Sequence, residues 1–172
     1  MKVVLRVVLG IFICIYLAMV IFTTGFLLNK NDYGVSSFLG RYLIVLDDDS
    51  LAPDYKANSL IAIKPVTNEE IEIGDRIFYY DTYSTKHQIK YTEVTRKEKV
   101  NDSEVTYSLK DNTLVSSQYV LGSEKTVTSL SFLGQILYIV QSKWGFLIIV
   151  VFPLFLAFIY EIYAIIKEVK KK

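Results

Sequence analysis

Two long apolar runs without charge enclose a more polar middle part of the chain. Residues 7–28, VVLGIFICIYLAMVIFTTGFLL, contain no charged side chain. The second run, residues 144–160, is also uncharged and continues to Lys167 with Glu161 as its single charged interruption. At a rise of about 1.5 Å per residue, a helix of either length crosses a hydrocarbon core of about 30 Å. The pattern predicts two transmembrane helices.

Each apolar run has an alternative interpretation. The first could be a cleaved signal peptide, but it exceeds the usual apolar length of about 7–15 residues, and TTGFLLNKND offers no clear small-x-small cleavage site. The second could be a buried core helix, but it is apolar on every face and ends in a basic tail. A membrane helix tolerates Pro153, and we expect Glu161 near the membrane interface. We therefore favour two spans.

Basic residues flank the two runs on their outer ends. Lys2 and Arg6 precede the first run, and Lys167 and residues 170–172 follow the second. Because basic flanks stay in the cytoplasm, both termini are expected inside and residues 29–143 outside. The predicted segments are 1–28 (cytoplasmic end and first helix), 29–143 (outer domain), 144–166 (second helix) and 167–172 (basic tail).

The middle segment has the pattern of short β-strands. The candidate strands are rich in Ile, Val, Tyr and Thr and are separated by Asn, Asp, Gly and Lys: 42–46, 59–64, 76–80, 89–95, 105–109 and 119–122. LGQILYIVQSKW then has a helical period and leads into the second apolar run. The expected fold is mainly β, a small extracytoplasmic β-domain between two transmembrane helices.

Composition excludes several kinds of chemistry. The chain has 172 residues, is 52% hydrophobic and carries a net charge of +1. Its one cysteine, Cys14, lies in the first apolar run, so the outer domain has no disulfide, thiol nucleophile or cysteine metal site. His87 is the single histidine, which leaves too few ligands for zinc, and no glycine-rich phosphate loop is present. We expect no cofactor and no nucleic-acid partner, and the oligomeric state stays open.

Ser50 in VLDDDSLAP is the candidate nucleophile. A serine hydroxyl attacks a carbonyl only when a neighbouring base removes its proton. A lysine can be that base where burial lowers its pKa, and serine–lysine pairs are a known variant of the catalytic triad. The alternative is that the three aspartates and the serine form a solvated turn that the following proline ends.

Three short motifs follow the first apolar run in this order: Asp48-Asp49-Ser50-Leu51-Ala52-Pro53, Lys64-Pro65 and Gly74-Asp75. This order resembles the signal peptidase I family, in the endoplasmic-reticulum and archaeal branch that some bacteria share. That branch has a membrane helix, a Ser-Gly-Ser-Met-x-Pro box, a strand ending near Lys-Pro, and then Gly-Asp. The resemblance covers nearly the whole chain and implies a membrane-bound serine endopeptidase that cleaves signal peptides from secretory precursors.

The resemblance assigns roles to particular residues. Ser50 takes the position of the nucleophile. Asp48 replaces a serine whose hydroxyl can donate to the oxyanion hole, and a carboxylate there would repel an oxyanion, which leaves the Ser50 backbone N–H as a donor. In SLKDN, Asp111 matches an aspartate near the base, which it would orient or balance in charge.

The base has two candidates on one predicted strand. Lys90 in QIKYTEV fits the lysine form of the family pattern, and His87 in KHQI fits the histidine form. Alternation places Lys90, Thr92 and Val94 on one face and His87, Ile89 and Tyr91 on the other, so one candidate alone can face Ser50. We favour Lys90, and the alternative is that both side chains are simply solvated.

A second class of function stays open. The two aspartates before Ser50 would suit a non-catalytic relative, a membrane-anchored β-domain that binds or chaperones exported proteins. A sensor domain has no specific support. The expected partners are secretory precursors and the lipid bilayer, and the sequence leaves open whether the substrates are general or dedicated.

Overall fold

The computed structural model describes residues 2–85, 87–101 and 104–170. The chain divides into two compact units. One consists of the terminal segments, up to residue 24 and from residue 136, and the other is the continuous segment 25–135. Lys171 and Lys172 of the predicted basic tail lie outside the described residues.

Among the described residues, two helices are long and apolar enough to cross a membrane. The first candidate span is Gly10–Leu28, with mean hydropathy 2.5, within helix α1 (Lys2–Leu28). The second, Lys143–Val169, has mean hydropathy 2.4 and combines α3 (Lys143–Phe146), a π-helical segment (Leu147–Val151) and α4 (Phe152–Val169). Each span is 11% buried, unlike the core helix of a soluble protein.

Pro153 explains the irregular part of the second span. Proline has no N–H, so the helical carbonyl four residues earlier, that of Ile149, loses its usual donor. The hydroxyl of Tyr16 lies 3.1 Å from the Ile149 oxygen and 3.0 Å from the Val150 oxygen. The Tyr16 hydroxyl therefore supplies a hydrogen bond to the Ile149 carbonyl, which has lost its backbone donor to Pro153. Such a replacement is needed because an unpaired carbonyl is costly in apolar surroundings.

The segment 25–135 is a two-sheet β unit. Its strands are β1 (Val35–Phe38), β2 (Arg41–Val45), β3 (Leu60–Ile63), β4 (Arg76–Asp81), β5 (Gln88–Lys99), β6 (Val105–Leu109), β7 (Leu114–Ser116), β8 (Val120–Ser123) and β9 (Val127–Leu130). All the strand pairs are antiparallel. One sheet has the order β1-β2-β3-β9 and the other the order β7-β6-β5-β4-β8. Helix α2 (Ser131–Gln141) follows the last strand.

Two apolar clusters cover opposite faces of the five-stranded sheet. The first joins the two sheets through Val35, Ile44, Leu46, Leu51, Ile61, Ile63, Phe78 and Leu121. The second contains Ile71, Ile77, Tyr79, Val94, Val105, Tyr107, Leu109 and Val115. Along β4, Phe78 belongs to the first cluster and Ile77 and Tyr79 to the second. This alternation is the expected consequence of a strand buried on both faces.

The sequence prediction of the fold is confirmed in part: two apolar helices flank a β-rich middle segment, as predicted, but the description mainly β does not hold for the whole chain. The whole chain is 42% helical and 30% strand, so it is a mixed fold and not a mainly β one. The six predicted strands are all present, each within a few residues of its predicted bounds, except that β5 continues to Lys99. Three strands were missed, namely β1, β7 and β9, because each has three or four residues and contains polar serine or threonine.

Candidate functional site

Ser50 lies in a turn that its neighbours hold in place. Asp48 Oδ1 accepts the backbone N–H of Ser50 at 3.0 Å, and Asp49 Oδ1 accepts that of Ala57 at 2.9 Å. The next residue, Leu51, is buried in the first apolar cluster and anchors the turn to the sheets. The Ser50 side chain is exposed, and its hydroxyl has no hydrogen bond to any described residue. The hydroxyl is therefore open to a substrate.

A cavity of about 280 Å³ brings three of the four predicted site residues together. Ser50, Lys90 and Asp111 all line it. The other lining residues are Leu51, Tyr79, Gln88, Ile89, Tyr91 and Thr92. The cavity therefore collects residues from the Ser50 turn, from β4 and β5, and from the turn after β6, which are far apart in the sequence.

Lys90 makes an ion pair with a residue that sequence reasoning missed. Its ammonium lies 2.9 Å from Asp81 Oδ2, and the Asp81 side chain is 2% exposed. Asp81 also accepts from Gln88 Nε2 at 3.1 Å and from the Tyr83 backbone N–H. Burial raises the pKa of Asp81, but the Lys90 and Gln88 hydrogen bonds outweigh it, so the pKa lies below the usual value. In the sequence Asp81 is only an aspartate at the end of an apolar strand, a pattern that does not reveal its burial or its partners.

Asp111 is fixed by its own turn and by Tyr79. The Tyr79 hydroxyl donates to Asp111 Oδ2 at 3.4 Å, and the Thr113 backbone N–H donates to Oδ1 at 3.1 Å. Burial raises the pKa of Tyr79, as do the nearby carboxylates of Asp111 and Asp81. The Tyr79 hydroxyl therefore keeps its proton and acts as a donor near neutral pH.

His87 lies apart from this cavity. Its ring contacts Tyr33 edge-on, with 4.9 Å between ring centroids, and it does not line the cavity around Ser50. The predicted alternation along β5 is present, since Ile89 and Tyr91 pack on the first apolar cluster and Val94 belongs to the second. Of the two candidate bases, Lys90 shares the cavity with Ser50.

The Ser50 N–H, the expected oxyanion donor, already has an acceptor in this structure. That N–H donates to the Asp48 carboxylate, which lies two residues earlier. The reason is local, because a short aspartate side chain readily accepts a hydrogen bond from the backbone two residues on. The Asp48 carboxylate thus accepts the hydrogen bond that the Ser50 N–H would otherwise offer to an oxyanion, and it places negative charge close to that position.

Gly74 and Asp75, which carried part of the resemblance, have a structural role. Gly74 has φ +96°, a conformation that favours glycine. Asp75 accepts the Glu72 backbone N–H at 3.0 Å and pairs with Lys125 at 2.8 Å. Although burial raises the pKa of Asp75, the Lys125 and Glu72 hydrogen bonds lower it overall. The pair fixes the turn that begins β4.

One edge of β5 is open beside the cavity. Strand β4 pairs with residues 88–93 of β5, whereas β6 pairs with β5 from Val94 to Lys99. Within 87–101 and 104–130, no strand pairs with the other edge of β5 before Glu93, whose carbonyl accepts the Lys110 N–H at 3.0 Å. Alternation from Glu93 directs the backbone groups of Ile89 and Tyr91 to that edge. An extended peptide could therefore add there as a strand.

The Asp81–Lys90 pair predicts an acid-sensitive step in stability. The pKa of Asp81 is lower in the folded protein than in the unfolded chain, where it is about 3.9. The ionised Asp81 carboxylate therefore adds its full stabilisation above that unfolded value, and this stabilisation is lost as the pH falls below it. Replacing Asp81 by asparagine should destabilise the protein by about 1–3 kcal/mol at pH 7, and by clearly less near pH 3. The measurement is urea unfolding of the protein in detergent, followed by circular dichroism.

The matched control is Asp54→Asn. Asp54 pairs with Arg76 at 2.6 Å, but its side chain is 42% exposed. Because the pair is exposed, we expect Asp54→Asn to lower the free energy of unfolding by no more than about 1 kcal/mol. Equal losses at pH 7 for the two variants would contradict the structural importance of the buried carboxylate.

No protein-family model, curated protein or solved structure matches the chain. Among the described residues, no group of three or more histidine, cysteine, aspartate or glutamate side chains could hold a metal ion.

Proposed function

We propose that the chain is a membrane-bound serine endopeptidase of the signal peptidase type, which cleaves signal peptides from secretory precursors. Ser50 is the nucleophile, Lys90 the base, and Asp111 a positioning residue. The observation that carries the proposal is the cavity that Ser50, Lys90 and Asp111 line together beside the open edge of β5. The direct test is precursor cleavage by the purified protein and its loss in a Ser50→Ala variant.

The reaction divides acyl transfer into two steps. The precursor adds along the open edge of β5, and Ser50 Oγ attacks the scissile carbonyl while Lys90 Nζ takes its proton. The tetrahedral intermediate collapses, the proton passes to the leaving amine, and the acyl group stays on Ser50 as an ester. Water, activated by Lys90, then hydrolyses the ester and restores the hydroxyl. The reaction needs no metal or organic cofactor.

Two bonds of the resting site must be exchanged before this reaction. Lys90 can accept the Ser50 proton only as a neutral amine, so its Nζ must leave Asp81, 2.9 Å away. The Ser50 N–H must likewise leave Asp48 to donate to the oxyanion. Insertion of a substrate strand and exclusion of water from the cavity would drive both exchanges. The resting arrangement is therefore a low-activity state.

The membrane helices place this site for its substrate. With both termini in the cytoplasm, the β unit lies on the outer face of the membrane, where secretory precursors arrive. The apolar segment of the precursor stays in the bilayer and its extended cleavage region reaches the β unit. The partners in this proposal are the precursor and the lipid bilayer.

Replacing Asp48 by serine should increase the rate of cleavage. The change removes a carboxylate from the Ser50 N–H and supplies a hydroxyl that can donate to the oxyanion. One such donor contributes about 10²–10³ in kcat in a known hydrolase, so we expect a gain of at least about tenfold. The measurement is the initial rate of precursor cleavage by the full-length protein in detergent.

Asp47→Ser is the matched control. It removes the same charge from the same acidic run, but Asp47 is exposed and has no hydrogen bond with Ser50. Its rate should stay within about twofold of the parent rate because it changes surface charge alone. A gain in Asp47→Ser as large as that in Asp48→Ser would show that acidity of the run, not the Ser50 donor, limits the rate.

A second candidate function is binding without cleavage. The Asp48 carboxylate on the Ser50 N–H favours it, because this contact opposes oxyanion stabilisation. A membrane-anchored β-domain would then hold extended segments of exported proteins on the open edge of β5. In that case a precursor binds the protein and is released intact.

A further inference from the structure

Ser50 also lines a second cavity. It measures about 240 Å³ and shares four lining residues with the cavity described above: Ser50, Leu51, Tyr91 and Thr92. Its walls come from the Ser50 turn, the start of β4, the middle of β5 and the turn after β6. Its charged lining residues are Asp54, Arg76, Glu93 and Lys110. A small apolar pocket would have a different lining.

These charges form two ion pairs across the cavity walls. Arg76 lies 2.6 Å from Asp54, and their side chains are 44% and 42% exposed. Lys110 lies 3.5 Å from Glu93, with its side chain 72% exposed, so the second pair is looser. Positive and negative groups therefore balance in number, and each keeps a hydrated side.

Tyr91 stiffens the wall between the pairs. The Arg76 guanidinium lies 5.6 Å from the centroid of the Tyr91 ring, a cation–π contact. The Tyr91 hydroxyl donates to Glu124 Oε2 at 2.8 Å. Arg76 is thus held from two sides and cannot swing away easily when a substrate side chain enters.

This lining decides which substrate side chain fits. A methyl or leucyl group would remove water from charged groups and give them no hydrogen bond in return. A charged side chain would lose its own hydration to enter a wall of zero net charge. An amide has a donor for the carboxylates and an acceptor for the cations, so asparagine or glutamine can replace the displaced water on both kinds of group.

We propose that this cavity is the subsite for a side chain flanking the scissile bond and that it selects glutamine or asparagine over small apolar residues. The inference rests on the proposed peptidase function. A pocket that selects small apolar residues would have an apolar lining, whereas Arg76 and Asp54 line this cavity.

The test uses the full-length protein in detergent and a set of precursors that differ in one residue. Glutamine, asparagine, alanine, leucine, glutamate and lysine are placed in turn on each side of the scissile bond. We expect kcat/KM for the glutamine or asparagine precursor to exceed that for alanine by at least about tenfold at one of the two positions. The double variant Asp54→Leu, Arg76→Leu should reverse the order in favour of alanine and leucine.

The matched control removes an ion pair within β5. Arg96 and Glu98 lie 2.8 Å apart on the surface and line neither cavity. The double variant Arg96→Leu, Glu98→Leu should keep the glutamine preference. Cleavage that depends on Ser50 but favours alanine would overturn this subsite and leave the peptidase function standing, as would an unchanged preference in the Asp54/Arg76 variant. If no precursor is cleaved, both proposals are wrong.

Discussion

Ser50→Ala leaves a precursor uncleaved while the β unit stays folded. Loss of a covalent nucleophile lowers the rate by at least about four orders of magnitude. The Ser50 side chain is exposed and its hydroxyl contacts no described residue, so the free energy of unfolding should change by less than about 0.5 kcal/mol. The measurements are precursor cleavage in detergent or liposomes and urea unfolding of the same preparation.

Ser37→Ala is the control for this variant. Ser37 is also exposed, but it lies in β1 and lines neither cavity. The Ser37 variant should cleave at the parental rate. If the Ser50→Ala protein cleaves as fast as the parent, the peptidase function is wrong and binding without cleavage takes its place.

Lys90→Arg abolishes cleavage and preserves stability. An arginine can keep the ion pair with the buried Asp81 carboxylate, 2.9 Å from the present ammonium. A guanidinium stays protonated and cannot accept the serine proton. We expect a loss nearly as large as that of Ser50→Ala, since nucleophile and base act as one unit. The arginine variant thereby distinguishes two roles of Lys90, that of the catalytic base and that of a mere ion-pair partner of Asp81.

His87→Ala tests the alternative base. His87 contacts Tyr33 and does not line the cavity, so its removal should leave the rate within about threefold of the parent. An inactive His87 variant together with an active Lys90→Arg variant would reverse the assignment.

The length of the apolar runs predicted the two long apolar helices, and periodicity predicted most of the strands. An uncharged apolar run of this length is typical of a membrane helix and fits few other structures. Alternating Ile, Val and Tyr residues indicate strands with one or both faces buried. The edge strands β1 and β9 carry serine or threonine at exposed positions, so their pairing partners and not their own side chains define them. Charged residues 96–99 belong to β5 because β6 pairs with them.

The site was predictable as a set of residues, but its electrostatics were not. Motif order selected Ser50, Asp111 and two alternative bases, Lys90 and His87, and the fold places all of them except His87 around one cavity. Asp81 could not be selected, because its importance comes from burial and from the β4–β5 register, which brings it to Gln88 and Lys90. The contact between Asp48 and the Ser50 N–H likewise depends on the turn conformation.

The most direct test of the central claim is to look for an acyl group on Ser50. The full-length protein is mixed with a precursor, quenched in acid after a fraction of a turnover, digested and analysed by mass spectrometry. The account predicts that the peptide containing Ser50 carries the acyl fragment of the precursor and that the Ser50→Ala protein carries none. Cleaved precursor without any adduct on Ser50, or the same adduct in the alanine variant, would contradict it.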